Sequence, residues 1–367
     1  MRWRKALSTL VSLITIAFVV SFAQPPTLLV TLGEQRTVRT RNALAGVHTR
    51  FVDEAEAWKI KRGLEMTREM GAPWIVEFFP WPYYEPSKGN FNWAAAARII
   101  DHANRQGLTV IARLGFVPEW ARPREVDGAP TTFTYLDAQG TRHFADFAAA
   151  FVAHFKGKIR HVIVLNEPNL NFEWGLRRVD PAGYVDVLKA VYPAIKRANP
   201  DVIVLAGALA PTTEVNPDVA LNDLTYLDAM YRAGARDYFD ALAIHNYGAT
   251  FAPEAPPAPE AINFRRAELL RAIMVKHGDA AKDAYITETG WNDDPRFVAG
   301  VTPANRIRYT LDALELAKSD WPWVKCVAFW VFKLPAPANG YRDAFTFVTP
   351  SLEPLPIYED IRQALTE

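Results

Sequence analysis

The chain is expected to fold as an α/β protein, a closed (β/α)8 TIM barrel of eight parallel strands, and three observations carry that expectation. Short apolar runs recur at 43–48, 74–79, 108–114, 161–167, 202–207, 240–247, 284–290 and 324–332. They are near-continuously apolar rather than alternating, which is the pattern of parallel strands buried on both faces. A helical segment follows each run, the last being PLPIYEDIRQALTE, and eight βα units of this length close most simply into a barrel. An open doubly wound sheet shares the rhythm, but no G-x-G-x-x-G follows the first strand and no P-loop is present.

Taken in order, the chain opens with Arg2, Arg4 and Lys5 ahead of an apolar stretch from Ala6 to Ala23, with Ser21 and Ala23 as small residues near its end. That layout predicts a secretory signal peptide over residues 1–23. The stretch is also close to the shortest membrane span, so an uncleaved N-terminal anchor fits the same residues. Either way the body is expected to be secreted, periplasmic or held at the cell surface. Residues 24–40 read as a lead-in and 41–367 as the barrel domain. Gly107 stops a helix that begins near Trp93, and Thr302 before Pro303 reads as an N-cap with proline at the first helical position. In PAGYVDVLKAVYPAIKRANP, Tyr184, Val187, Leu188, Val191, Tyr192 and Ile195 share one helical face. Pro193 is placed to kink its last turn. The Pro- and Ala-rich stretch 248–262 reads as a rim loop after the sixth strand.

Composition narrows the ligand. Lys+Arg and Asp+Glu both number 41, so there is no net field to attract nucleic acid or an anionic surface. The partner is expected to be neutral or small. Oligomeric state is not encoded in any of these features. The 11 Trp offer flat faces that suit sugar rings as well as a core. A single cysteine, Cys326, rules out an internal disulfide; set in VKCVAFWVF, it reads as a small buried hydrophobe. None of the seven histidines forms HExxH, so neither metal nor cofactor is expected.

In a barrel of this kind, polar residues at the C-terminal strand ends face one site. Glu167 ends strand four, in HVIVLNEP, and Glu288 ends strand seven, in ITETGW. Two carboxylates converging on one cavity are what cleavage of a glycosidic bond needs: one protonated to donate to the leaving oxygen, one ionised at the anomeric carbon. A separation of roughly 5 to 5.5 Å gives retention, and a wider one gives inversion through water. His245 and Tyr247, two apart on strand six, are expected to face the same side. His48 follows strand one and is a sugar-contact candidate.

The motifs together resemble the clan A glycoside hydrolases. NEP ends strand four, Glu288-Thr289-Gly290-Trp291 ends strand seven, H-x-Y lies on strand six, and a tryptophan, Trp330, lies on strand eight. The spacing W-x3-EP-x2-G-x-(F/Y)-x-W from Trp81 to Trp93 is similar to the second-strand region of family 39 and family 5-like members. The likeness runs from about Arg41 to the C-terminus.

That resemblance implies an exported retaining glycoside hydrolase acting on β-linked oligo- or polysaccharide by double displacement. Glu167 would be the general acid/base and Glu288 the nucleophile. Asn166 would hydrogen-bond the sugar 2-hydroxyl, Tyr247 would hold the nucleophile, His245 would orient the pair, and Trp330 would floor the sugar. Relatives often carry an arginine on strand two, where this chain reads Trp74, Ile75, Val76, Glu77. Arg113 on strand three either takes that place or forms a plain salt bridge. Glu77 is either a substrate ligand or part of a barrel layer. Trp81, Trp120, Trp174 and Trp291, which follow strands two, three, four and seven, are either sugar platforms or loop-packing aromatics. Two other functions use the same features: a catalytically idle carbohydrate-binding barrel and a transglycosidase.

Overall fold

The computed structural model describes residues 30–367. The expected signal or anchor segment, residues 1–23, lies outside the described residues. Eight parallel strands close into a barrel: β1 Ala45–Thr49, β2 Trp74–Pro80, β3 Thr109–Gly115, β4 His161–Val164, β5 Ile203–Leu209, β6 Ala241–His245, β7 Ala284–Thr289 and β8 Val324–Phe329. Each strand pairs with its neighbour in sequence, and β8 returns to β1 through Ala45 opposite Val327. Eight principal helices surround it: α1 Ala57–Glu69, α2 Ala94–Arg105, α3 Ala138–His154, α4 Pro181–Ala198, α5 Asp223–Arg232, α6 Arg266–Lys276, α7 Pro303–Asp320 and α8 Pro356–Thr366. Among the described residues no helix is long and apolar enough to cross a membrane.

The near-continuous hydrophobicity of the strands has its cause in two cores. Val76, Ile111, Ile163, Leu205, Ala243, Cys326 and Ala328 fill the barrel interior, while Ile75, Val110, Val162, Val204 and Val327 face outward into the shell of helices. Cys326 is fully buried, and burial pushes its thiol up far beyond the usual range. On α4, Tyr184, Val187, Leu188, Val191 and Ile195 are buried as the spacing required, and the helix runs on through Pro193 to Ala198. Thr302 caps α7 by accepting from the Asn305 amide at 3.2 Å. Gly107 sits at φ +76°, with a carbonyl of the lead-in 2.7 Å from where a Cβ would project. Only glycine fits both demands.

The W-x3-EP-x2-G spacing turns out to be architectural. Trp81 and Glu85 are one helical turn apart, and the indole donates to Glu85 Oε2 at 2.6 Å. The other oxygen accepts from the amide of Gly89 at 2.7 Å. Trp120 donates to the Glu85 carbonyl at 2.9 Å, and Phe91 stacks on Trp93.

A buried ion pair helps to hold the rim loop 248–262. Arg266, at the start of α6, donates to both oxygens of Asp223 at the start of α5, at 2.7–3.1 Å, and both side chains are fully buried. Its remaining nitrogen reaches the carbonyls of Pro259 and Ala261 at 2.9 and 3.0 Å. Arg266→Met should therefore destabilise the protein by about 3 to 5 kcal/mol, because it strands a buried carboxylate. Urea unfolding measures this directly, and a loss below about 1 kcal/mol would refute the account.

Candidate active site

The C-terminal ends of β3, β4, β6 and β7 bring the predicted polar residues together. Glu288, the penultimate residue of β7, is almost fully buried. Its Oε1 accepts from Arg113 Nη1 at 2.8 Å, with His48 Nε2 at 3.5 Å; its Oε2 accepts from the Tyr247 hydroxyl at 2.8 Å. The β6–β7 pairing slips between Ile244 and His245 and sets His245 directly opposite Glu288. His245 Nδ1 then lies 2.8 Å from Glu167 Oε1 and 3.8 Å from Glu288 Oε2.

Glu167 reaches this centre through an irregular backbone. The run expected to continue to 167 leaves the ladder after Val164, and Leu165 and Glu167 adopt left-handed φ values of 66° and 41°. Such conformations are costly for residues with a Cβ and persist where the surroundings hold them. Here the Leu165 amide donates to the Leu114 carbonyl at 2.9 Å, and the Glu167 amide donates to the Ala208 carbonyl at 3.0 Å. Ala208 itself is left-handed, at a register slip in β5. Buried Asn169 clamps the next turn, receiving the Ala210 amide and donating to the carbonyls of Ala210 and Leu221.

Glu167, His245 and Glu288 each place one polar atom within 4.8 Å of the others. That spacing would also suit metal ligands, a grouping the linear spacing of histidines did not reveal. Both oxygens of Glu288 are already engaged by donors, however, and a guanidinium supplies the local positive charge. Glu167 is bonded to His245, and Glu288 to Arg113 and Tyr247.

The charges follow from these contacts. Burial alone would raise the Glu288 pKa, but His245, Arg113 and the Tyr247 hydroxyl together hold it down at about 2. His48 is itself pushed down to about 3 by burial and by Arg113. It is neutral at ordinary pH, so its contact with Glu288 is not an ion pair, and Arg113 is the permanent cation. For His245, burial lowers the pKa, yet the negative charges of Glu288 and Glu167 and the bond to Glu167 outweigh it and the net shift is upward. Burial, reinforced by Glu288 and Glu167, keeps the Tyr247 phenol protonated and therefore a donor.

The guanidinium beside Glu288 comes from Arg113 on β3. It crosses from β3 to Glu288, donates to Asn166 Oδ1 at 2.7 Å, and lies over the ring of Phe78. Glu77 is no substrate ligand. It is fully buried, and its carboxylate accepts from Thr49 at 2.5 Å and from the amides of Phe51 and Val52 at 3.0 Å, pinning the turn after β1.

The aromatic expectations divide. Trp330 follows β8, is partly exposed, and meets Phe345 edge-on; Phe345 in turn meets Tyr247 beside Glu288. Three of the other four tryptophans are corrected by the structure. Trp81 is fully buried against Phe144 and Phe147, Trp174 is buried beside Tyr184, and Trp291 is buried with its indole bonded to the Phe251 carbonyl. None of the three has a face to offer a sugar. Trp120 is half-buried, with its indole bonded to the Glu85 carbonyl and its ring edge-on to Trp81. On the Arg113 side, Phe78, Phe116 and Phe133 run edge to face from the guanidinium to the exposed Phe133.

One polar residue of the site was not anticipated. Glu173, in the turn after Glu167, accepts from Asn166 Nδ2 at 3.0 Å and shares a small recess with Arg113, Phe78, Phe116 and Thr134. Burial raises its pKa, and despite the opposing bond from Asn166 the charge of Glu167 helps bring it to about 7. Between an unfolded value near 4.5 and about 7, the folded chain keeps a proton that the unfolded chain releases. The stability contribution of Glu173 is therefore complete below about 4.5 and falls as pH rises through about 7. Glu173→Gln should remove that slope, worth about 2 kcal/mol between pH 5 and pH 7.5. Denaturation at pH 5 and pH 7.5 checks it, and an unchanged pH dependence in the variant would contradict the assignment.

With the geometry in hand, comparison with known proteins is informative at the level of structure. No family model matches the sequence, and no curated protein matches it. Among solved structures, a family 39 glycoside hydrolase from Bacteroides cellulosilyticus WH2 superposes with a TM-score of 0.69 at 20% identity over 89% of this chain. The chain has the (β/α)8-barrel fold of that glycoside hydrolase. It spans 64% of the length of that Bacteroides protein. A monomeric β-xylosidase from Caulobacter crescentus CB15 is similar at a TM-score of 0.62 and 19% identity, over 89% of this chain and 69% of its own. A GH5_18 from Bifidobacterium longum subsp. infantis is similar at 0.64 and 15%, over 89% and 79%. These are the two families whose motifs the sequence resembled.

Proposed function

We propose that this protein is a glycoside hydrolase that cleaves β-glycosidic bonds with retention, through a covalent glycosyl-enzyme. One observation carries the reading: an oxygen of Glu167 lies within 4.8 Å of an oxygen of Glu288. That is a nearest-oxygen approach, and it supports the close spacing of a retaining pair, whose carboxyl groups stand about 5 to 5.5 Å apart against roughly 6.5 to 9.5 Å in inverting enzymes. The fold likeness to family 39 and family 5 structures supports the same reading.

In the first step, Glu288 attacks the anomeric carbon while Glu167 gives its proton to the departing oxygen. A carboxylate held ionised at about 2 is ready to attack at any working pH. Arg113 and Tyr247 fix both of its oxygens, so little reorganisation remains for the transition state. In the second step Glu167, now a carboxylate, takes a proton from water as that water displaces Glu288. His245, bonded to Glu167 and facing Glu288, stabilises the extra negative charge as the proton leaves Glu167.

A panel of 2-fluoro β-glycosides with good leaving groups tests this. Mass spectrometry should find one sugar attached to the peptide containing Glu288, and the most reactive member identifies the preferred sugar. Label on another residue would overturn the assignment, and no label from any member would leave a carbohydrate-binding barrel without turnover.

A further inference from the structure

We propose that Glu173 is a positioning residue that sets recognition of the sugar 2-hydroxyl by fixing the side chain of Asn166. The inference rests on the glycosidase reading above and deepens it.

Asn166 is anchored at both ends of its amide. Arg113, which can only donate, meets Oδ1 at 2.7 Å. Glu173 meets Nδ2 at 3.0 Å. A flipped amide would set NH2 against a guanidinium and oxygen against a carboxyl group, so the two anchors together fix orientation as well as rotamer. Nδ2 carries two hydrogens and Glu173 takes one, which leaves the other for a ligand hydroxyl. Arg113 continues to Glu288 at 2.8 Å, so Glu173, Asn166, Arg113 and the attacking carboxylate form one hydrogen-bonded chain.

The turn that carries Glu173 is built to hold it there. Residues Asn171–Trp174 form a single 3-10 turn that ends in left-handed Gly175. On one side Thr134 donates to the Phe172 carbonyl at 2.7 Å and accepts from the Gly175 amide at 3.2 Å. On the other, the Asn171 amide donates to the Val219 carbonyl and its side chain to the Asp218 carbonyl. A half-buried carboxyl group tied from two neighbouring loops serves placement, where solvation alone would need no such bracing.

The test compares an aryl β-glycoside with its 2-deoxy counterpart, using wild type, Asn166→Ala, Glu173→Ala, Glu173→Gln and the Asn166→Ala/Glu173→Ala pair. Asn166→Ala and Glu173→Ala should each lower kcat/KM on the hydroxylated substrate by about 10- to 100-fold, mainly in kcat, and by less than about threefold on the 2-deoxy substrate. Glu173→Gln, whose amide oxygen can accept the same bond, should recover most of the loss. The double variant should be no worse than Asn166→Ala alone. Equal losses on both substrates, full activity in Glu173→Ala, or additive losses in the pair would overturn the inference while the Glu288 label still stood. Hydrolysis of neither substrate by wild type would remove the glycosidase reading and this one with it.

Discussion

Glu288→Gln should lower kcat/KM on an activated aryl β-glycoside by about 10^4- to 10^6-fold, the scale seen when an enzyme loses its nucleophile. The substitution preserves shape and one acceptor, so Arg113 or Tyr247 keeps a partner and the barrel stays folded. What disappears is the anion that attacks carbon. Because Glu288 sits near pKa 2, the acid limb of the wild-type pH profile down to about pH 3 should not report its protonation. Glu288→Gly opens the position to a small external anion. Azide should then restore turnover and give the α-glycosyl azide, since a single displacement inverts the centre. Glu288→Gln activity within tenfold of wild type would rule out Glu288 as nucleophile.

The barrel was legible because burial on both faces leaves an imprint on every strand. Val76 fills the barrel and Ile75 the outer shell, so both positions must be apolar and the run is continuous. The convergence of Glu167 and Glu288 was legible for a complementary reason, since the C-terminal strand ends of a barrel face one centre. Glu77 shows where that logic fails: it lies inside a strand, and its partners are two backbone amides on a neighbouring turn that no spacing reveals. The tryptophans failed differently. Trp81 and Trp291 follow strand ends, as a sugar platform would, but their indole N–H groups anchor loops through Glu85 and the Phe251 carbonyl. Position along the chain is the same for either use, and only the direction of the ring distinguishes them.

Glu173 escaped notice because its significance is entirely spatial. Six residues past Glu167, in a loop of mixed polarity, it reads as a solvated charge. The 3-10 turn folds it back over Asn166 and removes much of that solvent. Arg113 was legible as a residue but not in its reach, which depends on the barrel bringing β3 across the ring to β7.

Glu167→Ala should separate the two halves of the reaction. Loss of a general acid costs about 10^2- to 10^4-fold, but only where the leaving group needs the proton. An alkyl β-glycoside should suffer the full loss in kcat/KM, while a dinitrophenyl β-glycoside, whose phenolate departs unaided, should form the glycosyl-enzyme at close to the wild-type rate. That intermediate then lacks a base to activate water, so it accumulates, kcat falls, and an early burst appears. Azide, already an anion, needs no base and should release the intermediate as the β-glycosyl azide, because two displacements restore the configuration. His245 loses its 2.8 Å partner and faces Glu288 alone, which removes one source of its raised pKa, so an NMR titration should find that imidazole shifted down in the variant. Equal losses on the alkyl and dinitrophenyl substrates would show that Glu167 shapes the site without transferring a proton.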